Sequence, residues 1–373
     1  MFARLRVLEL ASVLAGPSVG QFFAELGAEV IKVENPHTGG DVTRTWKTAG
    51  EQTDDRSAYF CSCNWGKKSI ALDLRMESDR QKVLRIAEKS ELIIASYKPG
   101  DAEKLGVSYE QLKGCNPGLI YGQITGYGSD DDRVGYDAVI QAESGFMDLN
   151  GEKDGPPTKM PVALIDVLAA HQLKEGLLLA LLKKEKTGEG SLVEVSLIHT
   201  AISSLTNQAT NWLVGGKLPG RQGSAHPNIA PYGDTFSTKD GKRILLAVGN
   251  DKQFEAIAVI LELGDQDLFA SYKTNQRRVE NRNALNKILA KAIEARVASE
   301  LLRLLHLHKI PAGLVHNVQE VFDMRAASDI QLSEDGIRGV RTFVAIDHSR
   351  VGYLSPPPHL GEHSEEILHL ISL

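Results

Sequence analysis

Short apolar runs alternate with amphipathic stretches through the first third of the chain. LRVLEL (Leu5 to Leu10) reads as a strand. Gly16-Pro17 opens a helix that runs through Leu26, with Pro at its first position and Gly27 past its end. AEVIKVE (Ala28 to Glu34) is the next strand. Strand, helix and strand within about 30 residues make a βαβ unit, which requires a parallel sheet covered by helices. The rhythm continues with SIALDL, a helix near Ser78 to Lys89, and the strand ELIIAS from Glu91 to Ser96. A capping-box spacing follows from Ser108 in SYEQL, then the strand LIYGQI from Leu119 to Ile124. A long helix spans about Val167 to Lys186, with Lys183, Lys184 and Lys186 in its last turn and Gly188 beyond. Residues 1–200 therefore read as an open, doubly wound α/β domain.

The texture changes near Gly215. GGKLPGRQGSAHPNIAPYG is dense in Gly and Pro, which predicts a long loop, and such loops are functional or act as linkers. Two short strands follow, at Asp234 to Ser237 and Arg243 to Val248, then helices around Lys252 to Leu263 and Ala298 to His306. The expected division is a linker at 201–225, a small α+β domain at 226–310, and a return linker with a C-terminal tail at 311–373.

With 373 residues, 42% of them hydrophobic and 24% charged, the chain has the composition of a globular protein. A net charge of −6 argues against nucleic acid as a partner, because that role needs a basic face. Cys61, Cys63 and Cys115 are too few for a disulfide framework and fit a reduced, cytoplasmic setting. Cys61 and Cys63 read as buried thiols on one face of a strand. MFARLRVLELASVLAGP carries Glu9 inside its apolar run and flows into the fold pattern, so it is not expected to be a leader peptide. The longest apolar run, Leu177 to Leu182, is too short for a membrane span.

Several catalytic signatures are missing: there is no P-loop, HExxH, CxxC or GxSxG. His306 and His308 are the closest histidine pair, and nothing at metal-ligand spacing joins them, so no metal is expected. The first βαβ turn, ASVLAGPSVG, lacks the GxGxxG of dinucleotide sites.

Ordered motifs span the chain instead: LELASVLAGPSVGQFFAELGAEVIKVENP, NWGKKSIALDL, YKPGDAEKLGV, NPGLIYGQITGYG, GYDAVIQAESG, PYGDTF, IPAG and PPPHLGEH. Together they resemble the class III CoA-transferases, the family of formyl-CoA transferase and carnitine CoA-transferase. The resemblance implies an acyl-CoA-dependent enzyme built as an interlocked homodimer. Its large Rossmann-like domain would combine the N-terminal part with the C-terminal tail, and linkers would carry the smaller α+β domain. Coenzyme A enters as acyl-CoA, with a carboxylic acid as acceptor and no membrane partner.

The family's nucleophilic aspartate matches Asp166 in MPVALIDVLAAH. A carboxylate suits that role because it forms a mixed anhydride that keeps the acyl group activated, whereas a serine would trap it as an ordinary ester. Asp before an apolar helix is also a common N-cap, and both roles are compatible. In GYDAVIQAESG, Asp137 matches a second acidic position, which also reads as a cap carboxylate. The branch similar to α-methylacyl-CoA racemase has His where this chain has Tyr136. A phenol is a poor base at neutral pH, so transfer is favoured over racemisation. A non-catalytic acyl-CoA-binding protein is the other alternative.

For CoA itself the resemblance implies Ser12, Val13, Leu14, Leu72, Ser96, Tyr97, Lys98, Lys104 and Tyr136. Lys67, Lys68 and Arg44 are further candidate cations for its phosphates. Ser96 stands where many members have Asn, Asn35 where some have Arg, and Leu14 where formyl-CoA transferase has Gln. RQGSAHP matches a mobile glycine-rich loop, with Arg221, Gly223 and His226 as lid or acceptor residues beside Gly220. Such a lid would shield an anhydride from water.

Overall fold

In a computed structural model, which describes residues 2–264, 271–347 and 352–372, the chain forms two compact units. The first comprises Met1–Phe146, Met160–Thr206 and Ala326–Leu373. Its centre is a six-stranded sheet of β1 (Arg6–Leu10), β2 (Glu29–Glu34), β3 (Lys67–Ala71), β4 (Leu92–Ala95), β5 (Ile120–Thr125) and β6 (Ser191–Ser196). The order is β3-β2-β1-β4-β5-β6, and every pair is parallel. This is the doubly wound order, in which β1 and β4 leave the sheet toward opposite sides. A crevice opens between their carboxyl ends, and that is where such folds bind ligands.

The helices of this unit are α1 (Ala15–Glu25), α2 (Glu77–Glu88), α3 (Asp101–Lys104), α4 (Tyr109–Lys113), α5 (Asp137–Glu143), α6 (Phe146–Leu149), α7 (Leu164–Thr187) and α8 (Leu197–Ser203). Helices α1, α7 and α8 cover one face through Val19, Phe23, Ala169, Leu173 and Leu177. Helices α2 and α4 cover the other with the C-terminal helix Ser364–Ser372, whose Ile367 and Ile371 join that core. The expected signals at helix ends are present. Ser108 and Gln111 form a reciprocal capping box, and Gly188 closes α7 in the left-handed conformation.

Glycines let α1 lie close against β1 without a dinucleotide fingerprint. A Cβ on Gly16 would meet Ala11 at 2.4 Å, and one on Gly20 would meet the Glu9 carboxylate at 1.8 Å. Glu9 is fully buried there. Three buried acids, Glu9, Glu34 and Asp41, face three buried bases, Lys32, Lys67 and Arg44. This arrangement overturns one expectation. Lys67 pairs with Glu9 at 2.8 Å and donates to the Pro17 carbonyl and Asn64, so it is a core lysine and not a phosphate ligand. Arg44 forks onto Glu34 at 2.7 and 2.8 Å and is likewise committed. Lys68, on the opposite side of β3, joins Glu29 and Glu366. Cys61 and Cys63 are buried as expected, but on a 3₁₀ turn at 60–62 rather than a strand. Burial pushes both thiols up to about 11, which leaves them unreactive.

The second unit comprises Met147–Lys159 and Asn207–Arg325. Its antiparallel sheet holds β7 (Tyr232–Ser237), β8 (Arg243–Ala247) and β9 (Ala312–Leu314), covered by helices Asp251–Ile260, Arg282–Glu294 and Ala298–Leu307. The structure differs from the sequence-based division at two points. Strand β9 extends this sheet beyond residue 310, because Ala312 and Leu314 pair with Leu246 and Ile244. Segment 147–159 packs with this unit through Arg221, which bonds to Asp148 and to the Gly155 carbonyl. Among the described residues no helix is long and apolar enough to cross a membrane.

Candidate active site

Six chain segments converge on the crevice at the switch point. The turn after β1 brings Ser12, Val13, Leu14 and Ala15, and the loop after β4 brings Ser96, Tyr97, Lys98 and Pro99. The end of β5 contributes Thr125 and Gly126, and the following loop contributes Arg133 to Asp137. Asp166 on α7 completes the lining, with Leu197 at the start of α8. The crevice has a volume of about 200 Å³ and opens to solvent.

Asp166 lies in the first turn of α7, three residues after Ala163 at the N-cap position. The capping alternative therefore does not hold, since the helix starts earlier than the apolar pattern suggests. Asp166 is buried and takes no hydrogen bond among the described residues. Its carboxyl is pushed up to about 7, first by loss of water and then by the negative charge of Asp137. Desolvation here outweighs the stabilisation that a helix N-terminus gives a carboxylate.

Asp137 is the residue that performs the capping. It begins α5, yet its Oδ1 accepts from the Ile165 backbone N–H of α7 at 2.8 Å, and its Oδ2 accepts from Gln141 at 2.7 Å. Gln141 in turn accepts from the Met160 N–H. One carboxylate thus holds the start of α7 and places a negative charge beside Asp166. Tyr136 sits at the N-cap position of α5, half exposed at the crevice.

The structure brings Ser12, Val13, Leu14, Ser96, Tyr97, Lys98, Tyr136, Asp137 and Asp166 to one crevice. Other sequence candidates lie elsewhere. Leu72 is in the core beneath α2, and Lys104 is exposed on α3, paired with Asp101. Arg221, Gly223 and His226 belong to the second unit. There Arg221 pairs with Asp148, Gly223 has a positive φ and donates to the Gly151 carbonyl, and His226 packs edge-on against Tyr232.

Two residues were not singled out from sequence. Arg133, two residues before the GYD string, lines the crevice and stacks on Tyr127 at 3.8 Å. Tyr59 has its phenol pushed up to about 12, by burial and then by the negative charge of Asp166. No local pattern marks Tyr59; only its tertiary proximity to the acids does. Outside the crevice, Asp54, Asp55 and His359 approach one another, but Arg56 and Arg44 already pair with the two acids.

A family model described as CoA-transferase family III matches residues 2–364. A succinate–glutarate CoA-transferase from Agrobacterium fabrum is 37% identical, covering 98% of this chain and 94% of that protein. The Homo sapiens succinyl-CoA:glutarate CoA-transferase is 34% identical, covering 98% and 84%. A solved CAIB/BAIF family protein from Brucella suis superposes with a TM-score of 0.86 at 39% identity, covering 98% of each chain.

Proposed function

Since the chain belongs to CoA-transferase family III, and so is an enzyme that moves CoA between an acyl-CoA and a free acid, we propose that Asp166 carries the transfer. The observation behind this reading is a buried carboxylate without hydrogen bonds in a crevice at the sheet's switch point. Stripped of water, it is a stronger nucleophile than a solvated one.

An Asp166 oxygen attacks the thioester carbonyl, the C–S bond breaks, and CoA leaves as thiolate. The thiolate attacks the Asp166 carbonyl of the mixed anhydride. The donor acid departs as carboxylate, leaving an aspartyl-CoA thioester. The acceptor carboxylate attacks that thioester and releases CoA thiolate. The thiolate then attacks the acceptor's acyl carbon, which forms the product thioester and frees Asp166. Every activated bond is exchanged for another, so no external energy source is consumed.

The turn Ser12–Leu14 and the loop Ser96–Lys98 are the proposed CoA contacts, with Lys98 the exposed cation for phosphate. Lys104, exposed on α3, would reach CoA only at its periphery, and Leu72, buried in the core, is not among the contacts. The loop bearing Arg221, Gly223 and His226 is proposed as the shield of the intermediates. A homodimer is inferred from apolar surface left open in the chain: Leu178, Leu179 and Leu182 on α7 with Ile202 on α8, and Leu213, Val214 and Leu218 in the second unit. Short dicarboxylic acids are the proposed substrates, a reading that rests on the substrates named for the relatives.

The test is intact-protein mass spectrometry after incubation with a panel of short acyl-CoAs, half of each sample receiving hydroxylamine. A hydroxylamine-sensitive CoA adduct on the Asp166 peptide is expected. An adduct on another residue, or exchange of the substrate's α-proton with solvent deuterium in its place, would overturn the reading. The pH dependence gives a second check. Only ionised Asp166 is nucleophilic, so kcat/KM for acyl-CoA should fall about tenfold per pH unit below about 7. Asp137→Asn removes the neighbouring charge and should move that midpoint to lower pH, but not fully, because burial is the larger cause.

A further inference from the structure

Val13 carries a backbone φ of 73°, in the left-handed region that β-branched residues avoid. It sits in the turn between β1 and α1, so a specific restraint must hold it. One buried ion pair grips this turn on both sides of Ser12. Lys32 donates to the Ala11 carbonyl at 2.7 Å, just before Ser12. Asp41 accepts from the Val13 N–H at 3.3 Å, just after it. Lys32 and Asp41 are themselves paired at 2.9 Å, and both side chains are buried.

Asp41 is fixed in turn. Its Oδ1 accepts from the Thr43 N–H at 3.0 Å and the Thr43 hydroxyl at 2.8 Å, and its own N–H donates to Glu34 at 2.9 Å. The Val13 carbonyl accepts from the Cys63 thiol. Asp41 does not line the crevice, but the residue it restrains does. Leu14, the N-cap residue of α1, offers no side-chain cap, so the turn's backbone alone decides where the first N–H groups of the helix point.

We propose that Asp41 is a positioning residue for coenzyme A: clamped by Lys32, it holds Val13 in the left-handed conformation and so aims the Ser12–Leu14 turn at the CoA moiety. The assignment rests on the reading that this turn contacts CoA. The strain at Val13 is what makes the clamp necessary. A glycine at that position would adopt the same φ without restraint.

Kinetics in a double-mutant cycle test it. Asp41→Ala should raise KM for acyl-CoA about tenfold and leave kcat at saturation within about twofold, a pattern of lost binding alone. Asp41→Asn keeps an acceptor for Val13 and should restore part of the affinity. In a Val13→Gly background, Asp41→Ala should raise KM less than about threefold, because the strained conformer no longer needs a clamp. Equal KM factors in the two backgrounds would overturn the proposal, as would a loss confined to kcat. Should Asp41→Ala not fold, Asp41→Asn, which loses only the charge that Lys32 clamps, supplies a cycle of smaller amplitude, its partial rise in KM expected to shrink in the Val13→Gly background. Ser12→Asp separates the proposal from the reading beneath it. A raised KM there, with no coupling between Asp41 and Val13, removes the clamp and keeps the CoA contact. An unchanged KM in Ser12→Asp removes both.

Discussion

Asp166→Ala is expected to abolish CoA transfer, with a loss on the order of 10³-fold or more in kcat. The attacking oxygen is gone, and the crevice lining holds no other carboxylate but Asp137. Asp137 is occupied by the Ile165 N–H and Gln141, and its removal would release the start of α7 as well. The loss must be distinguished from unfolding, and the charge state of Asp166 provides the means.

Its folded-state value of about 7 lies above the ordinary carboxylate value of 3.8. The folded protein therefore holds that proton more tightly than the unfolded chain. Ionisation costs stability progressively as pH rises from about 4 to about 7, and the full cost persists above 7. Asp166→Asn removes this cost, so the inactive variant should be more stable than the parent at pH 8. At about 1.4 kcal/mol per pKa unit, the gain is on the order of 2–4 kcal/mol. It should vanish near pH 4. Denaturant unfolding at the two pH values measures it. An inactive Asp166→Asn protein that is less stable at pH 8 would mean that the residue is structural.

The second large effect concerns Lys67, which contributes to stability and not to ligand binding. Lys67→Met should destabilise the first unit by about 3–5 kcal/mol, because it leaves Glu9 fully buried with Lys32 as its remaining cation. The three-against-three balance of buried charge then becomes an excess of one negative charge. Lys68→Met, on the exposed side of the same strand, should cost under about 1 kcal/mol. Adding Glu9→Gln to Lys67→Met should recover part of the loss by removing the unpaired charge. Thermal or denaturant unfolding of these variants decides between the two roles. If Lys67→Met unfolds like the parent and loses only CoA affinity, the core assignment is wrong.

Much of the scaffold was legible because its signals are local. The first βαβ unit, the capping box at Ser108 and the C-cap at Gly188 each lie within a few residues of the structure they specify. Strand β6 escaped detection: SLVEVS is partly exposed along an edge, so its pattern lacks the continuous apolar run of a central strand. Helix α7 begins at Leu164, earlier than its periodicity implied, which turned an expected N-cap at Asp166 into a first-turn residue. The cap came instead from Asp137, 28 residues away in sequence.

The sequence by itself determined the alternation of strands and helices, the doubly wound class, the family resemblance and the candidate aspartate. Each of these follows from the type and spacing of neighbouring residues. Only the tertiary structure decided which charges are available for chemistry. Lys67 and Lys68 are adjacent in the chain, yet β-strand alternation sends one into the buried layer under α1 and the other to the opposite side. Glu9 and Lys67 are 58 residues apart and meet across the sheet, while Asp41 reaches Val13 across 28. A carboxylate's proton affinity depends on its water and on charges within a few ångströms. Those distances exist only once β1, β2 and β3 lie side by side and α7 is docked against α5.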